Sequence, residues 1–180
     1  MQNFLENLGI RKFTTKQICT LAIFIALAVV FDIVSTLPIS QTLQISFSYV
    51  PVFVIAALYG PVSGGITYVL SDAISAFILY GSVSPLLSIT AFLSGFIFGL
   101  CFYKNYTFSK GFVARLIICV LLQFVISLFI NTYFLTVMYN FVFKVEIIKR
   151  LPTSLLKLVV QSVVIFVSPH YLKLFAKLAK

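Results

Sequence analysis

Charge is what this sequence has least of. Only 9% of its 180 residues are charged and just four are acidic, whereas 61% are apolar. A soluble domain carries about 25% charged residues, so this chain lacks the polar groups to cover itself in water. Tryptophan is absent, and there is a single histidine, His170. Its place at the cytoplasmic end of the last apolar run removes a histidine-based triad from the outer half of the spans, and no HExxH zinc motif occurs. No GxxxxGK[ST] loop occurs, so the chain has no means of hydrolysing nucleotide by itself. Three cysteines, Cys19, Cys101 and Cys119, are odd in number and show no metal-ligand spacing. They read as packing residues. No metal site and no catalytic residue is expected.

What is present is long apolar runs. Mean hydropathy is +1.13, and a membrane-crossing helix needs about 20 mostly apolar residues. Six spans fit, near 16–37, 50–60, 62–80, 85–103, 112–140 and 151–174, forming one all-α bundle over 1–180 with no separate soluble domain. The breaks have chemical causes: Pro38, the Gly60-Pro61 turn, Gly81-Ser82 with Pro85, and the polar stretches Lys104–Lys110 and Lys144–Arg150. The second span is short unless Phe47 and Tyr49 extend it. The first apolar run, Ile18 to Leu37, is longer than a signal-peptide core, so no cleaved signal is expected. Phe4, Leu5 and Leu8 suit a short interfacial helix ahead of it.

The basic balance, +9 at neutral pH, points to membrane anchoring and not to nucleic acid, because the basic residues gather at span ends. With both termini inside, Arg11, Lys12, Lys16, Lys104, Lys110, Arg115, Lys173, Lys177 and Lys180 face the cytoplasm. Only Lys144, Lys149 and Arg150 fall outside. That asymmetry predicts cytoplasmic termini.

Ionisable groups within spans cost several kcal/mol and turn toward a cavity or the bundle interior. At a rise of about 1.5 Å per residue, Asp72 and Asn131 lie about 12 Å, Lys157 about 10 Å and Asp32 about 8 Å below the outer ends of their spans. Three polar stripes accompany them: Tyr68, Asp72 and Ser75; Gln123, Ser127 and Asn131; and Arg150, Ser154, Lys157 and Gln161. They predict an outward-opening polar cavity between the third, fifth and sixth spans. The alternative is structural: an Asp72–Lys157 ion bridge fixing register, with Asp32 solvated at the interface. Small residues also recur at intervals of four, as Ala91, Gly95 and Gly99, and as Ala22 and Ala26. Such faces let helices approach closely, and the first is expected to pack inside the bundle.

Four stretches carry a family resemblance. They are Leu21–Ala28 with Ala22-x-x-x-Ala26; Ile45–Val52 running on to Leu58-Tyr59-Gly60-Pro61 and Ser71-Asp72; Thr90–Leu100; and Ile130-Asn131-Thr132-Tyr133-Phe134-Leu135 with Tyr139 and then Arg150. On these the chain resembles the substrate-binding S components of energy-coupling factor (ECF) vitamin transporters, and most closely the folate type. It departs at Tyr80–Leu86, which is not rich in aromatics and proline, and at Tyr133, where tryptophan is common. The resemblance implies a non-catalytic subunit of a bacterial plasma membrane importer. It binds its vitamin from outside and joins a transmembrane T subunit and two ATPases, which hold the ATP. The implied substrate-binding residues are Asp72, Asn131, Tyr139, Arg150 and Lys157, and Ala22 and Ala26 form the docking face for the T subunit. Folate suits such a site, since a carboxylate pairs with its pterin edge and cations with its glutamate tail. Riboflavin, a queuosine precursor and pantothenate stay open, as does, in another class, a small channel or structural membrane protein.

Overall fold

A computed structural model describes residues 14–35, 37–38, 44–45, 47–103, 110–139 and 142–178. The described residues are almost entirely helical: α1 (Thr15–Ser35), α2 (Tyr49–Tyr59), α3 (Pro61–Tyr80), α4 (Pro85–Phe102), α5 (Lys110–Val125), α6 (Asn131–Tyr139) and α7 (Phe143–Leu178). A π segment, Ile126–Ile130, joins α5 to α6 as one long rod. The exception is a short antiparallel pairing of β1 (Leu37–Pro38) with β2 (Gln44–Ile45), in which Leu37 faces Ile45. The expected interfacial helix before residue 14 and the polar stretch 104–109 lie outside the described residues.

Punctuation follows the expected residues. Pro61 and Pro85 each open a helix, where proline's missing N–H costs nothing. Between α2 and α3, Gly60 takes φ +106°, and its N–H donates to Ala56 O at 3.1 Å. That backbone turn reverses the chain within a single residue. One boundary differs from expectation: Lys144–Arg150 is not a connecting stretch but the opening of α7, which runs on through Pro152 and Pro169. Lysine, glutamate and arginine lower hydropathy but are good helix formers, so a drop in hydropathy did not mark a drop in helicity.

Five helices are long and apolar enough to cross a bilayer: Thr15–Val34, Pro61–Tyr80, Pro85–Phe102, Gly111–Met138 and Phe143–Leu172. The sixth, α2, has 11 residues, about 16 Å of rise against a hydrocarbon thickness of about 30 Å. Tyr49 joins this helix and Phe47 does not. Large apolar side chains crowd the outside, with Val34 76% and Ile148 73% exposed. Such a surface is a liability in water and the expected one in lipid.

The packed core lies toward the end of the bundle where α2 meets α3. Phe53 and Ala56 from α2 join Phe98 and Phe102 from α4, Phe112 and Cys119 from α5, and Ile165 and Leu172 from α7. Phe53 stands edge-on to Phe98 at 5.5 Å and to Phe102 at 5.2 Å, an arrangement favoured by the ring quadrupoles. The closest approach is between α3 and α4. A Cβ on Gly64 would meet Gly95 O at 2.8 Å, and one on Gly99 would meet Pro61 N at 2.5 Å. The small-residue face of α4 is therefore internal, as its spacing indicated.

A side chain at Gly95 must push two backbones apart. Gly95→Val should destabilise the folded chain by about 1–3 kcal/mol or more, lowering its melting temperature in detergent. Gly111→Ala, where an added Cβ meets nothing within 4 Å, should leave it unchanged. Equal melting temperatures for both variants would contradict the close crossing.

Candidate functional site

The short α2 leaves the other end of the bundle unfilled, and a cavity of about 770 Å³ occupies that space. It is lined from the C-terminal half of α1 (Asp32), the start of α2 (Ser48, Tyr49), the C-terminal half of α3 (Tyr68, Asp72, Ser75) and the adjoining turn (Ser82, Ser84). The rest of the wall comes from α4 (Thr90, Ser94, Phe98), the rod through α5, the π segment and α6 (Gln123, Ser127, Asn131), and α7 (Arg150, Ser154, Lys157, Gln161). Such a volume falls within the ordinary range of small-molecule sites. All ten members of the three polar stripes reach it.

The π segment explains how the middle stripe stays on one wall. Residues four apart on an α-helix drift by about 40° per step, so Asn131 would turn well away from Gln123. A π turn holds an extra residue and rotates the following segment back. Such turns recur at binding sites for this reason.

Many of the polar groups are already satisfied locally. Thr90 Oγ1 donates to Leu87 O at 2.7 Å, and Thr153 Oγ1 donates to Arg150 O at 2.9 Å. Ser75 donates across the helix interface to the Asp32 carboxylate. This contact puts Asp32 in the cavity and one turn from Asp72. Gln123 Nε2 donates to Ser94 O at 2.8 Å, and Ser84 Oγ to Met138 Sδ at 3.0 Å. Two sealed polar atoms on cavity-lining residues, Asn131 Oδ1 and Tyr49 OH, have no hydrogen-bond partner among the described residues.

Acidic and basic side chains reach the cavity from different helices. Asp32 and Asp72 come from α1 and α3, which pack on each other, while Arg150 and Lys157 come from α7, which packs on α2, α5 and α6. No ion pair joins Asp72 to Lys157 among the described residues. Arg150 is buried with Glu146, itself buried, one turn earlier on α7. No cluster of three or more metal-ligating side chains exists among the described residues.

Comparison with known proteins places this architecture. A family model described as "ECF transporter, substrate-specific component" matches residues 16–170. The chain belongs to that family. Among curated relatives, the folate transporter FolT of Clostridium novyi (strain NT) is 28% identical over 149 residues, covering 80% of this chain and 84% of that protein. Among solved structures, FolT bound with folic acid matches with a TM-score of 0.77 at 25% identity, covering 88% of this chain and 95% of the other. The S component of a bacterial ECF transporter matches in fold, with a TM-score of 0.67 at 24% identity, covering 89% and 96%. This S component is thus a multi-pass membrane protein and a transporter's substrate-specific subunit.

Of the residues expected to bind substrate, Asp72, Asn131, Arg150 and Lys157 converge on one cavity. The side chain of Tyr139, the last residue of α6, lies outside the described residues. Sequence reading missed the contributions of α4 and of Ser48 and Tyr49 at the head of α2. Ser94 and Thr90 carry no charge and sit on a helix whose small-residue face is the stronger pattern. Nothing in their spacing singles them out.

An aqueous cavity makes introduced thiols reactive, whereas a thiol facing lipid stays protonated and inert. With the native cysteines replaced by alanine, Asn131→Cys and Ser127→Cys should react at least tenfold faster with a charged maleimide than Ile117→Cys, which is 52% exposed on the outside of the bundle. Equal rates would mean that no water-filled cavity exists, and the side from which label enters reports the orientation.

Proposed function

We propose that this S component is the high-affinity folate-binding subunit of an ECF importer, taking folate or a reduced folate from outside the cell. The carrying observation is that carboxylates from α1 and α3 and cations from α7 line one cavity. Folate has a ring system rich in N–H donors at one end and two carboxylates at the other. A carboxylate accepting from adjacent ring and amino N–H groups, and a guanidinium gripping a carboxylate, are both paired, planar contacts. Asp72 takes the pterin edge, Arg150 and Lys157 take the glutamate tail, and Asn131 and Tyr139 contact the ligand between them. The likeness to FolT supports the substrate. A cationic vitamin such as thiamin would meet Arg150 and Lys157 unfavourably.

The remaining machinery lies in other chains. A transmembrane T subunit and two ATPases complete the importer, and ATP hydrolysis belongs to the ATPases. The docking face on α1 is Ala22 and Ala26, and the exposure of both residues supports it. The lysine and arginine asymmetry supports cytoplasmic termini in a bacterial plasma membrane with six crossings, α2 and the segment before it forming the second.

Purified chain should retain or bind folate at submicromolar concentration, as read by mass spectrometry of released small molecules. No bound folate at that concentration would remove the assignment. Arg150→Ala should weaken binding by tenfold or more while the protein still inserts and folds. Ala26→Trp should leave binding intact and abolish uptake in cells carrying the complete importer. Normal uptake by that variant would place the docking face elsewhere.

A further inference from the structure

Glu146 is the acid that the cavity does not explain. Three acidic side chains fall among the described residues; Asp32 and Asp72 line the cavity and Glu146 does not. Yet Glu146 is only 4% exposed. A glutamate is almost never buried to that degree unless it is paired. It lies in the first turn of α7, where the helix dipole favours negative charge. An exposed carboxylate gains that benefit too, so the dipole gives no reason for burial.

Its partner is the cavity residue one turn further along. Arg150 follows at i+4, the spacing at which side chains of one helix meet, with acid before base in the better order. Helical side chains lean toward the N-terminus, so the long arm of Arg150 lies over the turn that carries Glu146. The Glu146 charge acts on Arg150, which is itself buried at 7% exposure while lining the cavity. Glu146 therefore bears on the cavity from outside it, through Arg150.

Two effects work against a guanidinium held at that place. Lys157, a cation lining the same cavity, feels the Arg150 charge, and like charges push apart. Arg150 also lies near the start of the span Phe143–Leu172, where long cationic side chains swing out to the membrane surface. A carboxylate on the same helix counters both. A guanidinium has five N–H donors in a rigid fork and no acceptor, so one edge can hold Glu146 while another faces a ligand. Loss of the Glu146 charge would strengthen the bare attraction for an anion. Paired contacts depend on the direction of the fork, however, and a guanidinium that has swung away offers none. We propose that Glu146 is a positioning residue, pairing with Arg150 from outside the cavity to keep its guanidinium turned toward an anionic group of the ligand. The proposal rests on the folate reading of the site, in which that group is the glutamate tail.

The test uses the full chain and two ligands, folate and its diamide, in which both carboxylates are replaced by uncharged amides of similar size. Unmodified protein should bind folate at least about tenfold more tightly than the diamide. Glu146→Gln keeps the size of the side chain and removes its charge. It should weaken folate about tenfold and change the diamide less than about twofold. Glu146→Asp keeps the charge at shorter reach and should weaken folate only about threefold, again sparing the diamide. In an Arg150→Ala background Glu146→Gln should cost folate nothing further, since the two residues act as a unit. Equal losses for both ligands, no loss for folate, or a loss that persists without Arg150 would each overturn the proposal. Tighter folate binding by Glu146→Gln would show the acid competing with the ligand and would overturn it as well. Should Glu146→Gln fail to fold, Glu146→Asp decides: a loss confined to folate supports the proposal, and an equal or absent loss overturns it. Equal binding of folate and diamide by the unmodified chain would mean that no cation reads the tail, which also overturns it. Failure of the unmodified chain to bind folate at all would be seen first and would remove the underlying reading instead.

Discussion

The fold depends on the crossing of α3 and α4, where backbone meets backbone. Gly64 and Gly65 face Gly95 and Phe92, and Gly99 lies against the start of α3 at Pro61. Within lipid there is no hydrophobic force to press helices together, so close packing of small residues has to do it. This crossing fixes α3 against α4 toward the end of the bundle nearest the α2–α3 turn. Ala56 of α2 sits on the same point, its Cβ 2.5 Å from where a Gly64 Cβ would be. Three helices are thereby locked at one end, and phenylalanines of α2, α4 and α5 fill the space around them.

The opposite end is shaped by what that lock does not reach. Because α2 spans only about half the bilayer, its neighbours lose a packing partner over their remaining length. An apolar void there would collapse or fill with lipid. The side chains lining it are instead Asp32, Asp72, Asn131, Arg150 and Lys157, groups that favour water over lipid. A buried charge in a bilayer is costly; placed around a cavity, the same charge is solvated until a ligand replaces the water. Rigidity at one end and a polar space at the other follow from a single short helix.

Much of this was legible in the sequence, and the reason is physical. In a chain with so few charges, each intramembrane ionisable group is a strong signal, and helical periodicity carries it to its neighbours. Tyr68, Asp72 and Ser75, and likewise Arg150 through Gln161, lay on the cavity wall because α3 and α7 are regular helices over those stretches. Gln123, Ser127 and Asn131 aligned for a less visible reason: the π segment compensates their drift, and no residue within Ile126–Ile130 marks it. Asp32 stayed ambiguous because its partner Ser75 is 43 positions away, a pairing that one helix's periodicity cannot express. The start of α7 was misplaced because hydropathy reports the membrane boundary and not the end of a helix.

The same distinction bears on how the site selects a ligand. Charges announce themselves in sequence, and charge complementarity between a site and its ligand favours one orientation over the other. Discrimination among ligands of similar charge layout has to come from neutral groups of fixed direction. Serine and threonine hydroxyls rotate, and those of Thr90 and Thr153 are taken up by their own helices. An amide anchored at its nitrogen cannot turn, so its oxygen reads one direction only. In this cavity the amide of Gln123, held at Ser94 O and already marked in the sequence by its polar stripe, is a neutral group of fixed direction.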